Sequence, residues 1–480
     1  MRVLVVDVGS SGVRAATIGE DGHVRHESRR LTPPDVPFPG LVEIDATALA
    51  QAALTTATEV LGADGPVDAV GIASQRASTI VWDRATGEPV GPGLSWQDLR
   101  TVGECLTLQG EGLRLAPNQS ATKLVNLLDA HDAERTRDLC FGTVDTWVAW
   151  TLSQGAVHVT DATNAGVTGL VTDDGDRWDD AALATLDVPR SVLPTIVDST
   201  GIVGEASALP GTPPIAALVG DQQSSLIGQG CVRPGQAKIT FGTGGMLDLV
   251  VGEARPSFSH RGDAGCFPIV AWQRDGTITY GVEAIMMAAG TNVDWLVEDL
   301  GLVDTPADTA ALATSVSDAE GVLYVPAPLG LGTPRWDFGA RGTLLGLTRG
   351  TTRAHIVRAV LEGVAQRGVD LIEAAEADGG HPLSTVRVDG GMSQNPVFVQ
   401  ALADAAARPV ELSPGPERTT NGAGFLAGLA VGMWSDLDEI GDLWQPAAVV
   451  EPSGAFDRER WRDAVSRAAR WHPDLSALEF

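Results

Sequence analysis

A strand that runs into a short loop of glycine and hydroxylated residues occurs in both halves of the sequence, and it limits the fold more than any other feature. Residues 3–8 predict a buried strand, residues 9–12 a small polar loop, and residues 13–18 a returning strand. In the second half, residues 236–240 and 246–251 predict two strands around another glycine-rich loop. This recurrence predicts two halves of similar construction.

The rest of the pattern extends each half with alternating strands and helices. Further strands are predicted at 67–72, 215–219 and 386–391, and a hairpin at 80–92. Helical patterns, the first with Asp45 as its N-cap, cover 46–61, 284–300, 354–377, 396–407, 422–432 and 457–471. Because the pattern restarts near residue 228, we expect an N-terminal domain of residues 1–228 and a C-terminal domain of residues 229–480.

The charge balance restricts the partners of the protein. The 480 residues include 33 basic and 62 acidic side chains, which gives a formal net charge of −29. This charge argues against binding to nucleic acid or to an anionic membrane, since both attract basic surfaces. A phosphate-bearing ligand must therefore be held locally, by backbone N–H groups, a metal ion or a few placed cations.

The sequence has no feature of a membrane span or of an exported protein. No apolar stretch approaches the ~18 residues that a transmembrane helix needs. Asp7 interrupts the N-terminal segment where a signal peptide has its apolar run. The cysteines show no CxxC spacing and are typical of buried thiols in a reducing compartment. These features predict a soluble, cytoplasmic protein.

Both loops have the composition of a phosphate-binding site, because glycine and small hydroxylated residues let backbone N–H groups approach closely. Ser10 and Ser11 lie in the first loop, Thr243 and Gly244 lie in the second, and Arg14 is within reach of the first. One such loop alone is usually an ordinary hairpin turn, whereas two equivalent loops favour the phosphate interpretation. The missing GxxxxGK[ST] motif excludes a P-loop, and the missing GxGxxG motif argues against a Rossmann dinucleotide site.

Two aspartates stand at strand ends and allow a structural and a chemical interpretation. Asp7 faces the first loop and is either a turn or capping acid or part of a Mg²⁺ site that acts through water. Asp221 lies between an apolar strand and a helix, where an N-cap is the ordinary role. A carboxylate at that position is equally able to accept a proton from a bound hydroxyl group.

Many segments, in unbroken order, resemble the glycerol kinase branch of the FGGY carbohydrate kinases. The resemblance extends from residue 3 to about residue 434 and therefore covers nearly all of the chain. The segments that carry it are residues 72–76 (IASQR), 81–84 (VWDR), 96–101 (WQDLRT), 141–147 (FGTVDTW), 158–161 (HVTD), 220–223 (GDQQ), 241–244 (FGTG), 342–347 (GTLLGL) and 355–362 (HIVRAVLE).

The resemblance implies an α/β fold of two ribonuclease-H-like domains, the actin-like ATPase architecture, which closes over ATP and a sugar. It implies that Asp221 is the general base and that Asp7 lies near Mg²⁺. Its implied nucleotide contacts are Ser10, Ser11, Arg14, Thr243 and Gly244 for the phosphates, with Gly290, Asp294, Gly391 and Asn395 for the rest of the nucleotide. Glycerol kinases usually have glutamine where Asp294 stands.

The implied polyol site matches the family at four positions. The family binds glycerol through an Arg-Glu pair, an Asp-Gln pair and a tyrosine. Arg76, Asp221 and Gln222 match these groups, and Trp96 keeps the apolar wall.

Three further positions of the polyol site depart from the family. Ala77 stands where the glutamate is expected, Asn118 where the tyrosine is expected, and Met246 replaces a phenylalanine. These changes remove a hydrogen-bond acceptor and enlarge the pocket. An unpaired substrate hydroxyl costs about 1–3 kcal/mol, so the changes predict a substrate other than glycerol.

We therefore expect ATP-dependent phosphorylation of a terminal hydroxyl group on a small polyol or ketose that is longer than glycerol. Glycerol itself, a xylulokinase-like pentulose kinase, and an ATP-driven binding protein of the actin type remain alternatives. The last has no need for the sugar-site residues Arg76, Asp221 and Gln222. The family resemblance allows a homodimer, for which the sequence identifies no surface.

Overall fold

Strands and helices alternate along the chain, because short apolar runs are separated by glycine turns and alanine-rich segments. The computed structural model describes residues 1–478. The strands of its N-terminal half are β1 (Arg2–Gly9), β2 (Gly12–Gly19), β3 (Val24–Leu31), β4 (Glu43–Ile44), β5 (Ala69–Ser74), β6 (Ile80–Asp83), β7 (Gly93–Leu94), β8 (Leu139–Gly142), β9 (Val159–Asp161), β10 (Thr195–Val197), β11 (Thr200–Glu205) and β12 (Pro214–Gly220). The helices of this half are α1 (Ala46–Asp64), α2 (Val102–Gly110), α3 (Ala121–His131), α4 (Val144–Leu152), α5 (Ala162–Ala165), α6 (Asp180–Thr185) and α7 (Asp221–Gly228), with a 3₁₀ turn at Arg190–Val192.

The C-terminal half repeats this alternation with longer helices. Its strands are β13 (Ala237–Phe241), β14 (Gly245–Gly252), β15 (Phe267–Arg274), β16 (Thr277–Met286), β17 (Leu323–Val325), β18 (Thr343–Leu345), β19 (Val386–Asp389), β20 (Val410–Leu412) and β21 (Ala448–Val450). Its helices are α8 (Thr291–Asp294), α9 (Asp308–Thr314), α10 (Arg353–Gly379), α11 (Pro396–Ala406), α12 (Arg418–Ala430), α13 (Leu437–Asp442), α14 (Arg458–Ala468) and α15 (Pro473–Ser476), with a π-helical turn at Trp295–Asp299 and a 3₁₀ turn at Gly391–Gln394.

The two halves form sheets with the same central topology. Within the described residues, a six-stranded sheet has the order β11-β12-β5-β1-β2-β3, and a seven-stranded sheet has the order β15-β16-β14-β13-β19-β20-β21. In each sheet an antiparallel hairpin carries a third antiparallel strand on one side and two parallel strands on the other. The predicted repeat and the predicted α/β fold of two similar halves are confirmed.

Strand β1 is buried on both faces, which explains its unbroken apolar sequence. Leu4 and Val6 pack in one apolar cluster with Leu49 of α1. Asp45 caps this helix as predicted, because its Oδ1 accepts a hydrogen bond from Ala48 N at 2.9 Å.

Helix α12 covers the other face of β1, although it comes from the second half of the chain. Its residues Ala423 and Leu426 share an apolar cluster with Val3 and Val5. Gly71 in β5 permits this approach, since a Cβ there would lie 2.5 Å from the carbonyl oxygen of Ala423. A segment beyond residue 228 thus completes the core of the first sheet, and the predicted domain boundary remains a prediction.

One predicted helix is wrong in part. The helix predicted over 284–300 begins only at Thr291, because β16 continues to Met286 and pairs with β14 and β15 on its two sides. Tertiary pairing decides the structure of such a short apolar run. The hairpin predicted over 80–92 is confirmed, since Asp83 N donates to Glu88 O at 2.9 Å and Val90 N donates to Val81 O at 3.0 Å, while β6 also pairs with β8.

The remaining predicted helices are confirmed by α10, α11, α12 and α14. The cysteines Cys105, Cys140, Cys231 and Cys266 are buried free thiols, as expected. Among the helices that the structure describes, none is long and apolar enough to cross a membrane.

Candidate active site

Three carboxyl groups that are buried or partly buried lie at or near the ends of strands. Asp7 belongs to β1, Asp221 is the first residue of α7 after β12, and Asp389 ends β19. Ser225, one turn into α7, donates a hydrogen bond to Asp389 Oδ2 at 3.5 Å and so brings β19 close to the same helix. The two sheets therefore bring their acidic strand ends to one place between the lobes.

Asp7 is a partly buried carboxyl group with little hydrogen bonding. Its pKa is raised to about 6: desolvation is the main cause, the charge of Arg14 opposes the shift, and the nearby charge of Asp221 adds to it. Thr420 Oγ1 donates to Asp7 Oδ2 at 3.3 Å. In the described part of the chain, no group of three or more His, Cys, Asp or Glu side chains is arranged to hold a metal ion. Asp7 therefore offers a single carboxylate near that of Asp221, rather than a complete set of protein ligands for a metal ion.

Asp221 lies between its own helix and a guanidinium group. Its Oδ1 accepts a hydrogen bond from Gln222 N at 2.8 Å and lies 3.6 Å from Arg76 Nε. Burial raises the pKa of Asp221, while the charge of Arg76 lowers it. Gly220 makes this contact possible, since a Cβ there would lie 2.7 Å from Arg76 Cδ. Gly220 rather than Asp221 is the N-cap of α7, so the predicted capping role of Asp221 is wrong.

Arg76 connects the two halves through an ion pair that the sequence analysis missed. Its Nη2 donates to Glu283 Oε2 at 2.7 Å, and both side chains are almost fully buried. Burial raises the pKa of Glu283 to about 7, and Arg76 lowers it. No signal identified Glu283 in the sequence, because the pattern around it was interpreted as the start of a helix.

A second buried ion pair lies on the neighbouring strands. Lys238 on β13 and Asp248 on β14 are directly opposite in register, and Nζ and Oδ2 are 2.8 Å apart. Lys238 Nζ also donates to Gln222 Oε1 at 2.7 Å and to Thr240 Oγ1 at 3.1 Å. Both charged side chains are fully buried, and Asp248 faces Glu283 across the next strand pair. Charged residues within apolar strands were the available signal for this cluster.

Ala77 and Trp96 of the predicted polyol site lie on loops that hydrogen bonds connect. Ala77 is buried with φ 58°, and its carbonyl oxygen accepts a hydrogen bond from Ser120 Oγ at 3.1 Å. Trp96, which is 38% exposed, donates its backbone N–H to Ser78 Oγ at 3.1 Å. The structure thus brings residues 77–78, 96 and 120 together.

Asn118 and Met246, which also belong to the predicted polyol site, differ in exposure. Asn118 is exposed on a segment that Lys123 holds, since the buried Nζ donates to the carbonyl oxygens of Pro117 and, at 3.0 Å, of Gln119. Burial lowers the pKa of Lys123 to about 8. Met246 is partly buried and stands two positions before Asp248 on the same face of β14.

The first loop is a two-residue hairpin turn. Gly9 pairs with Gly12, and Ser10 and Ser11 at the tip are exposed. Gly12 fits closely, since a Cβ there would lie 2.5 Å from the carbonyl oxygen of Arg30.

The Arg14 side chain is held by two carboxylates and is not free to contact the first loop. Its Nη1 forms an ion pair with Glu417, and its Nε lies 3.5 Å from Glu27 Oε1. Arg14 is opposite Asp7 in the hairpin register, and its charge lowers the pKa of that carboxyl group.

The second loop is packed against the segment that follows β16. Thr243 is exposed, and its carbonyl oxygen accepts a hydrogen bond from Ala289 N at 2.8 Å. Gly290 N donates to Gly242 O at 2.8 Å, so the structure brings Gly290 to this loop. Gly244 has no space for a side chain, since a Cβ would lie 2.7 Å from the carbonyl oxygen of Met286.

The remaining predicted nucleotide contacts have mixed surroundings. Asp294 and Gly391 are exposed, whereas Asn395 is the N-cap of α11 and accepts a hydrogen bond from Val397 N at 3.0 Å. Asn395 Nδ2 also donates to Thr309 Oγ1 at 2.9 Å, so both ends of its amide already have structural bonds.

Two further residues lie near these contacts, and the sequence analysis missed Arg418. Gly390 has φ 87° and packs against the backbone of Phe241, which only glycine allows. Arg418 is partly buried near Asp389, and desolvation lowers its pKa.

Comparison with known proteins gives this site its context. Residues 2–228 match the N-terminal domain, and residues 237–431 the C-terminal domain, of the FGGY family of carbohydrate kinases. A glycerol kinase of Aromatoleum aromaticum is 41% identical over 494 residues, which cover 98% of this chain and 99% of that protein. A glycerol kinase of Deinococcus radiodurans is 40% identical and covers 99% of both chains.

Solved structures agree with the sequence relationship. The Plasmodium falciparum glycerol kinase with ADP has a TM-score of 0.89 and 27% identity, and the match covers 100% of this chain and 99% of that one. The xylulose kinase of Rhodospirillum rubrum, at 22% identity, shares the fold with a TM-score of 0.84 over 99% of this chain and 100% of that one. The fold is the expected actin-like ATPase fold. The chain belongs to the FGGY family of carbohydrate kinases and is a phosphotransferase that acts on an alcohol group.

Proposed function

We propose that the protein transfers the γ-phosphoryl group of ATP to a terminal hydroxyl group of a small polyol or ketose. The observation that carries this proposal is the partly buried Asp221 carboxyl group, which lies beside Arg76 and within electrostatic reach of Asp7. A carboxylate in this setting is able to orient a hydroxyl group and to accept its proton. The relatives named glycerol kinase support a polyol as the acceptor.

The proposed reaction needs positioning more than covalent chemistry from the protein. The hydroxyl oxygen forms a bond to the γ-phosphorus while the bond from that phosphorus to the ADP oxygen breaks. Asp221 accepts the hydroxyl proton, and its raised pKa makes the ionised carboxylate a stronger base. The backbone N–H groups of residues 9–12 and 242–245 offset the charge on the phosphates. Arg14 adds to this effect once it leaves Glu417.

Asp7 is the residue that we propose for Mg²⁺. The donor set fits this ion, since Mg²⁺ is usually held by one or two carboxylates, water and substrate phosphates. The partly buried Asp7 carboxyl group, with one hydrogen bond from Thr420, is a carboxylate that a cation would stabilise. When bound, Mg²⁺ supplies positive charge to the transferring phosphates.

Residues from both halves are proposed for the nucleotide. Ser10, Ser11, Thr243 and Gly244 would contact the phosphates, because their loops are tight and all four residues are exposed or partly exposed at a hairpin tip. Gly290, Asp294, Gly391 and Asn395 would contact the rest of the nucleotide. Asn395 is the weakest member of this set, since its amide already bonds within the fold.

The substrate of the reaction is proposed to extend beyond the glycerol skeleton. Arg76, Asp221 and Gln222 would bind a glycerol-like end, while Ala77 and Asn118 leave space where the family has a carboxylate and a ring. The relatives named glycerol kinase favour glycerol, which is the alternative substrate. Trp96 and Met246 would supply the apolar wall with either substrate.

A screen with radiolabelled ATP tests this proposal. Polyols and ketoses of three to six carbons are incubated with the enzyme, ATP and Mg²⁺, and labelled phosphate esters are counted. We expect kcat/KM for the best longer substrate to exceed that for glycerol by at least about tenfold. Preference for glycerol over every longer compound would overturn the proposed length, and no labelled product at all would favour the ATP-driven binding protein.

A double variant tests the residues that we hold responsible. Ala77→Glu combined with Asn118→Tyr restores the family's groups, so preference should return toward glycerol by about tenfold. Asn118→Tyr alone is the matched control, because it fills space without supplying the carboxylate.

The assembly state and the compartment are separate proposals. A homodimer and a cytoplasmic location are what the family resemblance and the sequence favour. Light scattering on the purified protein measures the first, and fractionation of the source cells measures the second.

A further inference from the structure

We propose that Asp161 and Thr163 are positioning residues of the phosphoryl transfer, which anchor the backbone of Gly220 and thereby hold Asp221 in place beside Arg76. The inference rests on the proposed function, because it takes Asp221 as the general base. Asp161 has no exposed surface and Thr163 is 1% exposed, so neither side chain touches the substrate. Their contribution to the reaction acts through Asp221.

Gly220 is required by its surroundings, and it has more backbone freedom than any other residue type. A Cβ at this position would lie 2.7 Å from Arg76 Cδ and 2.8 Å from Gln223 Oε1, so a side chain is excluded. Its φ of −65° and ψ of 146° are open to any residue, which shows that space and not conformation demands glycine here. Asp221 follows directly. An external hydrogen bond is therefore the means by which this peptide keeps one orientation.

Thr163 supplies that hydrogen bond from a separate segment of the chain. Its Oγ1 accepts a hydrogen bond from Gly220 N at 2.8 Å, across 57 residues of sequence. The same hydroxyl group donates to Asp161 Oδ1 at 2.9 Å. A hydroxyl group has one hydrogen, and because Asp161 takes it, the oxygen of Thr163 faces Gly220 as an acceptor. Asp161 thus sets the polarity of the contact with Gly220.

The carboxylate of Asp161 is itself held on both oxygens. Its Oδ2 accepts hydrogen bonds from Ser199 Oγ at 2.7 Å and from Thr163 N at 3.0 Å. Its Oδ1 also accepts from Asn164 N at 3.0 Å and from Asn164 Nδ2 at 2.8 Å. These bonds include the N-cap of the short helix α5. Rotation of the carboxylate would break several bonds at once, so the anchor is rigid.

The same anchor reaches the strand that leads to Arg76. Ser74 ends β5, is opposite Gly220 in the β5–β12 register, and has its Oγ 3.5 Å from Asn164 Oδ1. Asp221 and Arg76 follow these two strand ends, and Asp221 Oδ1 lies 3.6 Å from Arg76 Nε. Because Arg76 packs against Gly220, a shift of this peptide would move the base relative to the guanidinium group.

Thr163→Val tests the anchor, because it replaces the hydroxyl group by a methyl group of similar size. The assay contains ATP, Mg²⁺ and either glycerol or the acceptor with the highest kcat/KM in the radiolabelled screen. We expect kcat to fall by about ten- to hundredfold, since a small displacement of the base is costly. KM for ATP should stay within about twofold, because the phosphate loops are not altered. Thr163→Ser keeps the hydroxyl group and should restore kcat to within about threefold of the wild type.

Thr56→Val is the matched control for the loss of a buried hydroxyl group. Thr56 is fully buried in α1, and its Oγ1 donates within that helix, to Ala52 O at 2.8 Å and to Ala53 O at 3.2 Å. Whatever its effect on thermal melting, we expect kcat to stay within about twofold of the wild type. A fall in kcat for Thr163→Val that is no larger than for Thr56→Val overturns the positioning role, and so does a Thr163→Ser variant that remains as slow as Thr163→Val.

Asp221→Asn, assayed in parallel, separates this inference from the proposed function. If Asp221→Asn keeps the wild-type kcat, the assignment of the base is wrong. If Asp221→Asn loses kcat while folded Thr163→Val does not, the base is correct and the anchor is wrong. Loss of kcat in both variants, with rescue by Thr163→Ser, supports both.

Hydrogen exchange of the wild-type protein tests the same bond without a variant. In the absence of ligands, the Gly220 amide should exchange as slowly as the amides of the central strand β5, because it donates to a buried acceptor. Mass spectrometry of short peptides that cover β5, Gly220 and residues 9–12 gives the comparison. Exchange of the Gly220 amide at the rate of the first loop overturns the inference, even if no variant of Thr163 folds.

Discussion

The hairpins that begin the two sheets carry the same kind of residue pair with opposite outcomes. In the first hairpin, Asp7 is opposite Arg14, yet Arg14 forms its ion pair with Glu417. In the second hairpin, Lys238 is opposite Asp248, and the two form a buried ion pair at 2.8 Å. The difference teaches that charged cross-strand pairs in the two hairpins serve different ends. In the first lobe, the Asp7 carboxyl group remains available to a ligand. In the second lobe, the Lys238 ammonium group holds the side chain of Gln222.

Because Asp7 does not form an ion pair with Arg14, its carboxyl group is protonated more easily. Burial raises the pKa of Asp7 to about 6, because the charges of Arg14 and Arg29 compensate the carboxylate only in part. Buried groups with raised pKa values are common at functional sites, which agrees with the proposed Mg²⁺ role.

The strongest test of the first lobe is Asp221→Asn, which keeps the shape and removes the proton acceptor. We expect kcat to fall by about two to four decades, with binding of ATP nearly unchanged. Steady-state kinetics with the best substrate and isothermal titration with a non-hydrolysable ATP analogue measure the two quantities. A variant that retains more than about a tenth of the wild-type kcat would contradict the assignment of Asp221 as the base.

The ion pair of the second lobe is tested by stability. Asp248→Leu alone leaves the Lys238 ammonium buried without its carboxylate, and the free energy of unfolding should fall by about 3–5 kcal/mol. Asp248→Leu with Lys238→Met should recover most of this loss, because no charge remains buried. Arg14→Met is the matched change in the first hairpin and should cost less, since Arg14 is partly exposed. If Asp248→Leu and Arg14→Met lower the free energy of denaturant unfolding equally, the proposed difference between the two hairpins is contradicted.

Asp7→Asn should stabilise the protein in the absence of nucleotide and metal while it impairs activity. A carboxyl group whose pKa is raised on folding contributes stability below its unfolded value of 3.8, and this stability is lost as the pH rises through about 6. The variant should therefore gain about 1–3 kcal/mol over the wild type at pH 8, and the difference should vanish near pH 4. Denaturant unfolding at the two pH values is the measurement, and a gain that is independent of pH would show that another effect is responsible.

The smallest expected effect separates two glycines of the second loop. A Cβ at Gly244 would lie 2.7 Å from Met286 O, whereas a Cβ at Gly242 would meet no atom within 4 Å. Gly244→Ala should raise KM for ATP by about tenfold, because the loop must shift. Gly242→Ala is the matched control, and its effect should be about threefold smaller. If the two variants behave alike, the close packing of this loop does not set its affinity.

The sequence by itself determined the repeat, the strands that carry it and the residues at the strand ends. Short apolar runs followed by glycine loops identified both hairpins, because burial and turn chemistry are local properties of a chain. Asp7, Asp221 and the two loops were found in this way, and the resemblance added Arg76 and Gln222.

Only the tertiary structure decided which charges meet. Glu283 and Asp248 come from strands far from Arg76 and Gln222 in the sequence, and the sheet register places all four around one cluster. Helix α12, from beyond residue 228, completes the first core for the same reason. Contacts between distant segments depend on strand order and register, and β16 became a strand only because partners on both sides paired with it.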